Sequence, residues 1–292
     1  TRSAHAWPVA SACDMKSAHT FRQSWAKDFL MCPERGRRSA FDPAWDSPDS
    51  DATVLGTAVH EYMEGRLHGL SHGEALHDAM AWLDTRLETG DFQRVQIKGD
   101  DTLRSKLEGC AGRLSVSVVP HVPPVDPSEI ERRFDVPLAP DGSIRLSGTW
   151  DARDIHGRLW DWKTAARLDR YVGWEIDRWY VQPTFYATAA RLQDLVDAHG
   201  EATALEIFWG GDQWEIPFTF AVVTKTPEPI ADTFDTTRTH GHAAWLLEQL
   251  RSFVAMREGM SVDVPWPKND QHALCSQKWC PAWDTCKGQH IR

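Results

Sequence analysis

The chain has 292 residues, of which 41% are hydrophobic and 25% are charged, a composition typical of a globular protein with a sizeable core. No apolar run approaches the roughly 20 residues of a membrane-spanning helix, and the first residues lack the order of a secretory signal, so we expect a cytoplasmic protein without membrane contact. The formal net charge of −10 argues against a protein that is basic all over, but it allows local carboxylate clusters that bind cations.

Helical patterns occupy the first part of the chain. Residues 1–19 show no clear periodicity and are predicted to form an N-terminal arm. Apolar residues at helical spacing predict a helical region over 20–128, with helices at 20–31, 56–70, 73–88 and 101–118, a loop at 40–53 and a proline-rich linker at 120–127. The pair Cys32-Pro33 is expected to end the first helix.

Strand patterns begin after this linker. Strands are predicted over 129–138, 143–155 and 158–163, followed by a helix at 175–198 that can kink at Pro183, a hairpin at 203–209 and 213–223, and one or two helices at 227–258. The order of elements predicts an α/β core over 129–258 with a helical elaboration. Residues 259–292 form a separate segment that is rich in proline and cysteine.

Two aspartates and a lysine lie on the predicted hairpin at 143–163. Asp151 and Asp161 stand on opposite arms, and alternation puts Lys163 on the same face as Asp161. Mg²⁺ and Mn²⁺ prefer carboxylate oxygens and leave positions for water and phosphate. The trio is therefore a candidate for holding a divalent metal beside a phosphodiester, although simple ion pairs, such as Asp161 with Lys163, explain the same residues.

Residues elsewhere in the chain can complete such a site. His60 lies four residues after Gly56 in a predicted helix, and imidazole is a good ligand for Mn²⁺, although a surface histidine is the commoner case. At the head of the strand before the hairpin, we favour Glu129 as an auxiliary acid. Glu131 is the alternative, but it can pair with a neighbouring arginine.

The long helix at 175–198 carries three polar residues one turn apart, namely Arg178, Gln182 and Tyr186. A guanidinium, an amide and a phenol in line can contact a phosphate backbone or a base. Ordinary polar decoration of an amphipathic helix is the alternative, and a kink at Pro183 would take Arg178 out of line.

Four of the six cysteines have an informative placement, and these are Cys32, Cys275, Cys280 and Cys286. Without a secretion signal disulfides are not expected, and four thiolates suit either zinc or a 4Fe–4S cluster. One ligand is about 240 residues upstream of the others, and closing so long a loop removes unfolded-state entropy worth on the order of 4–5 kcal/mol by the estimate used for disulfides. We predict a structural staple that joins the two ends of the chain.

Six motifs in this order resemble the RecB-like branch of the PD-(D/E)XK nuclease superfamily, which includes iron–sulfur exonucleases of the AddB type, of CRISPR adaptation modules and of phages. The motifs are Cys32-Pro33, Gly56 to His60, Gly148 to Asp151, Asp161-Trp162-Lys163-Thr164, Gln182 to Tyr186, and the cysteine trio at 275–286. The resemblance implies a restriction-endonuclease-like core, a mixed central sheet flanked by helices.

The resemblance also implies roles for these residues. His60, Asp151 and Asp161 would bind Mg²⁺ or Mn²⁺, Lys163 would orient water or stabilise charge on the phosphate, and Gln182 and Tyr186 would support the site or the DNA. The cysteines would hold a 4Fe–4S cluster; zinc stays open because four residues separate Cys275 from Cys280, where many relatives have two.

The expected function is a metal-dependent DNA exonuclease that acts on single-stranded DNA or duplex ends in recombination, repair or phage DNA processing. It would work in a bacterial host or a phage-infected cell, with a recombination or CRISPR-adaptation protein as a candidate partner. A DNA-end-binding or assembly subunit without activity is the alternative. An iron–sulfur electron carrier is a third hypothesis, disfavoured because the sequence has no second cofactor motif.

Overall fold

The computed structural model describes residues 18–42, 49–90, 92, 100–171, 181–269, 275–276 and 280–286. The described chain begins with a short strand, β1 (His19–Arg22), and continues through five helices: α1 (Gln23–Met31), α2 (Pro33–Phe41), α3 (Asp51–Leu67), α4 (His72–Thr89) and α5 (Asp100–Ser117). Side-chain caps define two of the helix starts. The Ser50 hydroxyl accepts the backbone N–H of Thr53 at α3, and Ser71 and Glu74 form a reciprocal capping box at α4.

The remaining elements alternate between strands and helices. They are β2 (Val125–Pro137), β3 (Ile144–Asp154), β4 (Leu159–Ala165), α6 (Val181–His199), α7 (Glu201–Trp209), β5 (Glu215–Thr224), β6 (Ala231–Thr239) and α8 (His240–Gly259). Short 3-10 turns lie at Val119–His121 and Asp169–Tyr171.

One mixed sheet contains all six strands in the order β1-β3-β4-β5-β6, with β2 paired to β3. Strand β1 runs parallel to residues 144–147 of β3, β4 runs antiparallel to residues 152–153, and β2 follows β3 along both stretches. A strand has only two hydrogen-bonding edges, so β1 and β4 share the edge of β3 opposite β2. Residues 148–151 lie between these two pairings, where β3 and β4 separate.

Helices cover both faces of the sheet. One core packs α1, α6, α7 and α8 against one face and includes Trp150, and the other packs α3, α4 and α5 against the opposite face and includes Trp160 and Trp162. The predicted α/β class, with a mixed central sheet between helical layers, is confirmed.

Two predicted elements in the second half of the chain are wrong. The segment 203–209 forms α7 rather than a strand, because it buries Ala204, Leu205 and Phe208 at helical spacing. The segment 227–258 contains β6 before α8. Strand β6 is polar because it lies at the edge of the sheet, paired with β5 alone, and so lacks the apolar alternation that marks a strand in sequence.

One smaller departure occurs near the N-terminus. The first residues of the predicted helix at 20–31 belong to β1, which buries Phe21. Cys32-Pro33 ends α1 as predicted, and a second helix, α2, begins directly at Pro33. Within the described residues, each helix is too short or too polar to cross a bilayer.

Candidate active site

Asp151 and His60 meet at the point where β3 and β4 separate. The backbone of Trp162 on β4 holds both: its N–H donates to Asp151 Oδ2 at 2.8 Å, and its carbonyl oxygen lies 2.7 Å from His60 Nε2. A carbonyl oxygen only accepts, so Nε2 carries the proton, and in the neutral ring Nδ1 keeps its lone pair. His60 Nδ1 lies 3.4 Å from Asp151 Oδ2. Metal-binding histidines commonly donate their second nitrogen to a carbonyl in this way.

Glu131 on β2 completes a group of three candidate ligands. One ligand atom each from His60, Glu131 and Asp151 lies within 4.8 Å of the other two. Glu131 has φ 47°, and it is the sole non-glycine residue with positive φ in the described part of the chain. Ile130 pairs with Ala152 and Arg132 with Trp150, so Glu131 stands opposite Asp151 on the neighbouring strand. This left-handed conformation costs on the order of 1 kcal/mol, and here it directs a carboxylate into the site.

Electrostatics at Glu131 favour the protonated form. Burial raises its pKa, and the negative charges of Asp151, Glu64, Glu61 and Asp161 raise it further, to about 8. Clustered carboxylates of this kind are unfavourable as anions unless a cation lies among them.

Glu129, the auxiliary acid favoured from the sequence, lies elsewhere. Its carboxylate pairs with Arg132, whose guanidinium also donates to Asp197 at 2.6 Å. Glu131, where the backbone makes this left-handed turn, lies with His60 instead. The sequence carries no signal for such a turn, because the residue that adopts it is not a glycine.

Asp161 lies beside the three-residue group and is held by side chains from two elements. Lys163 Nζ is 2.6 Å from Asp161 Oδ2, and Gln182 Nε2 on α6 donates to Oδ1 at 2.6 Å. Burial raises the pKa of Asp161, while the positive charge of Lys163 opposes that shift. Burial also raises the pKa of Tyr186, one turn beyond Gln182, and the negative charge of Asp161 adds to the increase. The structure therefore brings Asp161, Lys163, Gln182 and Tyr186 together, whereas Arg178 lies outside the described residues.

A cleft of about 560 Å³ opens beside this group and is lined by His60, Glu131 and Lys163 among other residues. Helix α3 forms one wall with Ala52, Gly56, His60 and Glu64, which are four residues apart and so share a face about 18 Å long. The other walls are formed by Glu131, Arg133 and Thr149 from β2 and β3, and by Trp162, Lys163 and Thr164 from β4.

The cysteines lie where the two ends of the chain pack together. Cys32 stands between α1 and α2, and its sulfur accepts the backbone N–H of Asn269 at 3.4 Å. The Asn269 side chain donates to the Met31 carbonyl at 2.9 Å, and Arg38 donates to the Thr285 hydroxyl at 2.6 Å.

The thiols of the predicted iron–sulfur staple do not lie in one tight group. Within the described residues, no three thiol sulfurs lie within 4.8 Å of one another. Cys280 is nevertheless close enough to its counterparts to be influenced by them: burial raises its pKa, and Cys286 and Cys32 raise it further.

Comparisons with known proteins bear on the fold and on the family of this chain. One crystal structure is that of a "Putative exonuclease" from Eubacterium rectale; it superposes with a TM-score of 0.53 at 14% sequence identity, over 87% of this chain and 86% of the other. That likeness supports the fold. No curated protein matches the sequence. The model of the PD-(D/E)XK nuclease superfamily matches residues 23–287, which is nearly the whole chain, and the chain therefore belongs to the PD-(D/E)XK nuclease superfamily.

Proposed function

We propose that this protein is a metal-dependent deoxyribonuclease that removes nucleotides from single-stranded DNA or from duplex ends. One observation carries the proposal: candidate ligand atoms of His60, Glu131 and Asp151 converge within 4.8 Å of one another beside a cleft lined by His60, Glu131 and Lys163, and Lys163 pairs with the buried Asp161. Membership of a nuclease superfamily and the description of the structural neighbour support the same activity.

The donor set fits a divalent cation of the Mg²⁺ or Mn²⁺ type. Carboxylate oxygens with one imidazole nitrogen suit these ions. The hydrogen bond from His60 Nε2 to the Trp162 carbonyl leaves the lone pair of Nδ1 to bind the metal. We assign the ligand role to His60, Asp151 and Asp161, with Glu131 rather than Glu129 as the auxiliary acid. When bound, the ion would lower the pKa of a coordinated water and offset charge on the scissile phosphate.

Lys163 contributes a fixed positive charge. Burial alone would lower its pKa, but the negative charges of Asp161 and Asp151 outweigh that effect and raise it. Lys163 is therefore a cation at neutral pH, suited to orienting a water and to stabilising the phosphate charge that grows during hydrolysis. Gln182 orients Asp161 through its hydrogen bond, and we propose that Tyr186 and Arg178 contact the DNA or support the site.

We also propose that Cys32, Cys275, Cys280 and Cys286 hold a 4Fe–4S cluster as a structural staple. Four thiolates on one zinc ion sit at about 2.3 Å from the metal and so within about 4 Å of one another. The described thiols offer no group of three that tight. A cubane cluster suits a wider spacing, because each thiolate binds a different iron.

We propose a cellular role that suits this activity. A nuclease of this kind would process DNA ends in recombination, repair or phage DNA metabolism, in the cytoplasm and beside a recombination or CRISPR-adaptation protein. The competing function is a subunit that binds DNA ends and whose nuclease site is catalytically inactive.

The test is degradation of end-labelled single-stranded DNA with Mg²⁺ or Mn²⁺. We expect cleavage by the wild type and a loss of at least about 100-fold in Asp161→Asn and Lys163→Ala, the loss typical of removing one directed electrostatic group. Asp101→Asn is the matched control, because Asp101 is a fully exposed acid on α5. Normal rates in both site variants, or DNA binding without cleavage by the wild type in either metal, would contradict the proposal.

A further inference from the structure

We infer that Arg133 binds the DNA phosphate next to the scissile one, as a substrate-binding residue of the cleft. The inference rests on the proposed nuclease function and adds a contact that neither the family match nor the sequence motifs assign.

The guanidinium of Arg133 has no partner within the described part of the chain. It is exposed, it lines the cleft, and no hydrogen bond or ion pair joins it to a described residue. Most described arginines differ in this respect, because they pair with carboxylates: Arg35, Arg37, Arg38, Arg86, Arg104, Arg132, Arg145, Arg153, Arg158, Arg167 and Arg191. In a chain of net charge −10, a cation left unpaired beside three glutamates is unusual.

Strand register places Arg133 on the open side of the metal ligands. Arg133 pairs with Thr149 on β3, two residues before Asp151 and in the direction where β3 separates from β4. Two strand residues span roughly 7 Å, which is about the separation of neighbouring phosphates along a DNA strand. Arg133 is thus about one nucleotide away from the group formed by His60, Glu131 and Asp151.

The charges along the cleft indicate which end receives the DNA backbone. Glu61 and Glu64 lie at one end of the cleft, toward the middle of α3. Burial and the charge of Asp151 are the main causes of the raised pKa of Glu131, and the charges of Glu64 and Glu61 raise it further. At the other end, nearer the start of α3, lie the positive charges of Arg133 and Lys163; Gly56 of α3 lies close to Thr164, the residue after Lys163. A phosphodiester chain is repelled from the first end and attracted to the second.

Arginine suits this contact better than lysine. Its planar guanidinium donates two parallel hydrogen bonds to a phosphate, which gives orientation as well as attraction. The adjacent Arg132 cannot make the contact, because it points to the opposite face of β2, over the Trp150 ring and into its own ion pairs.

The test compares Arg133→Gln and Arg133→Lys with Arg145→Gln. Arg145 lies six residues before Asp151 on β3, about 20 Å away along the strand, and its replacement removes the same charge. We expect Arg133→Gln to raise the KM for single-stranded DNA about tenfold while kcat stays within about twofold. The slope of log affinity against log salt should fall by about 0.7, the value for one phosphate contact on a single strand. Arg133→Lys should keep the salt slope and recover part of the KM.

A structural role for Arg133 would leave the salt slope unchanged, so an unaltered slope and KM in Arg133→Gln would overturn the inference. Failure of the proposed function has a different outcome, which is a wild type that cuts no DNA. In that case the same slope is measured on binding of labelled single-stranded DNA. Equal slopes for wild type and Arg133→Gln would then refute the phosphate contact independently.

Discussion

Two candidate metal sites are built in opposite ways. One is the carboxylate cleft, with His60, Glu131 and Asp151. The other is the cysteine junction, where the segment of Cys32 packs against the C-terminal segment of residues 269–286. In the cleft, the backbone of Trp162 bonds to both Asp151 and His60, and three ligand atoms lie within 4.8 Å before any ion is considered. At the junction, side chains from distant segments join the chain ends, and no three described thiols come that close.

The difference shows how each site obtains its geometry. Side chains on the strands and helices of a packed sheet are positioned by the fold. The free energy of folding therefore offsets the repulsion between carboxylates that lie close together. Ligands contributed by chain ends gain their final arrangement from the bound group, whose binding energy becomes folding energy. Loss of a cysteine should therefore affect stability first, whereas loss of a cleft acid should affect activity first.

The largest expected effect is on the cysteine junction. Cys286→Ser should abolish the broad brown absorbance expected of anaerobically purified wild-type protein. It should also lower stability by about 4 kcal/mol and the Tm by roughly 10 °C, because the long loop between the chain ends is no longer closed. Absorbance spectroscopy and calorimetry measure the two effects.

The matched control is Cys110→Ala, because Cys110 lies on the buried face of α5, far from the tail in sequence. It should keep the absorbance. A colourless wild type that contains zinc would replace the iron–sulfur proposal, and an unchanged Tm in Cys286→Ser would contradict the staple.

The second effect is a difference in DNA cleavage between variants of Glu131 and Glu129, which both lie on β2. Glu131→Gln should lower DNA cleavage about 100-fold and raise the Mn²⁺ concentration needed for half-maximal rate, because Glu131 lies with His60 and Asp151. Glu129→Gln removes the same charge two residues away, where the carboxylate pairs with Arg132, and should change the rate little. Rate measurements over a Mn²⁺ titration decide the point, and the reverse ranking would return the auxiliary role to Glu129.

The third effect is a pH dependence at the junction. Burial alone would raise the pKa of Glu34, but hydrogen bonds from Arg37, Arg38 and the Trp266 backbone N–H lower it from 4.5 to about 2. A carboxylate whose pKa is lower in the folded state stabilises the fold above pH 4.5, and that stabilisation is lost as the pH falls toward 2.

Glu34→Gln should therefore be less stable than the wild type by about 2 kcal/mol at pH 6, with the difference shrinking toward pH 2.5. Thermal unfolding of both proteins over this pH range measures the change. A stability difference that is independent of pH would show that the negative charge of Glu34 does not stabilise the packing of the two chain ends.

Much of the architecture was accessible from the sequence because apolar spacing reports which face of an element is buried. The helices α3, α4 and α5 and the strands β2, β3 and β4 agree with their predicted positions within a few residues. Strand β6 and helix α7 could not be predicted, because an edge strand carries little apolar alternation and a short apolar segment suits either structure.

The sequence by itself determined the donor chemistry: which carboxylates, imidazole and thiols exist, and on which elements most of them lie. The tertiary structure decided which of these side chains meet. Glu131 rather than Glu129 lies with His60 and Asp151, at the left-handed residue of β2, and Arg133 lines the cleft two residues further along the same strand. Such choices depend on strand register and backbone handedness, which arise from pairing between distant segments and leave no trace in local composition.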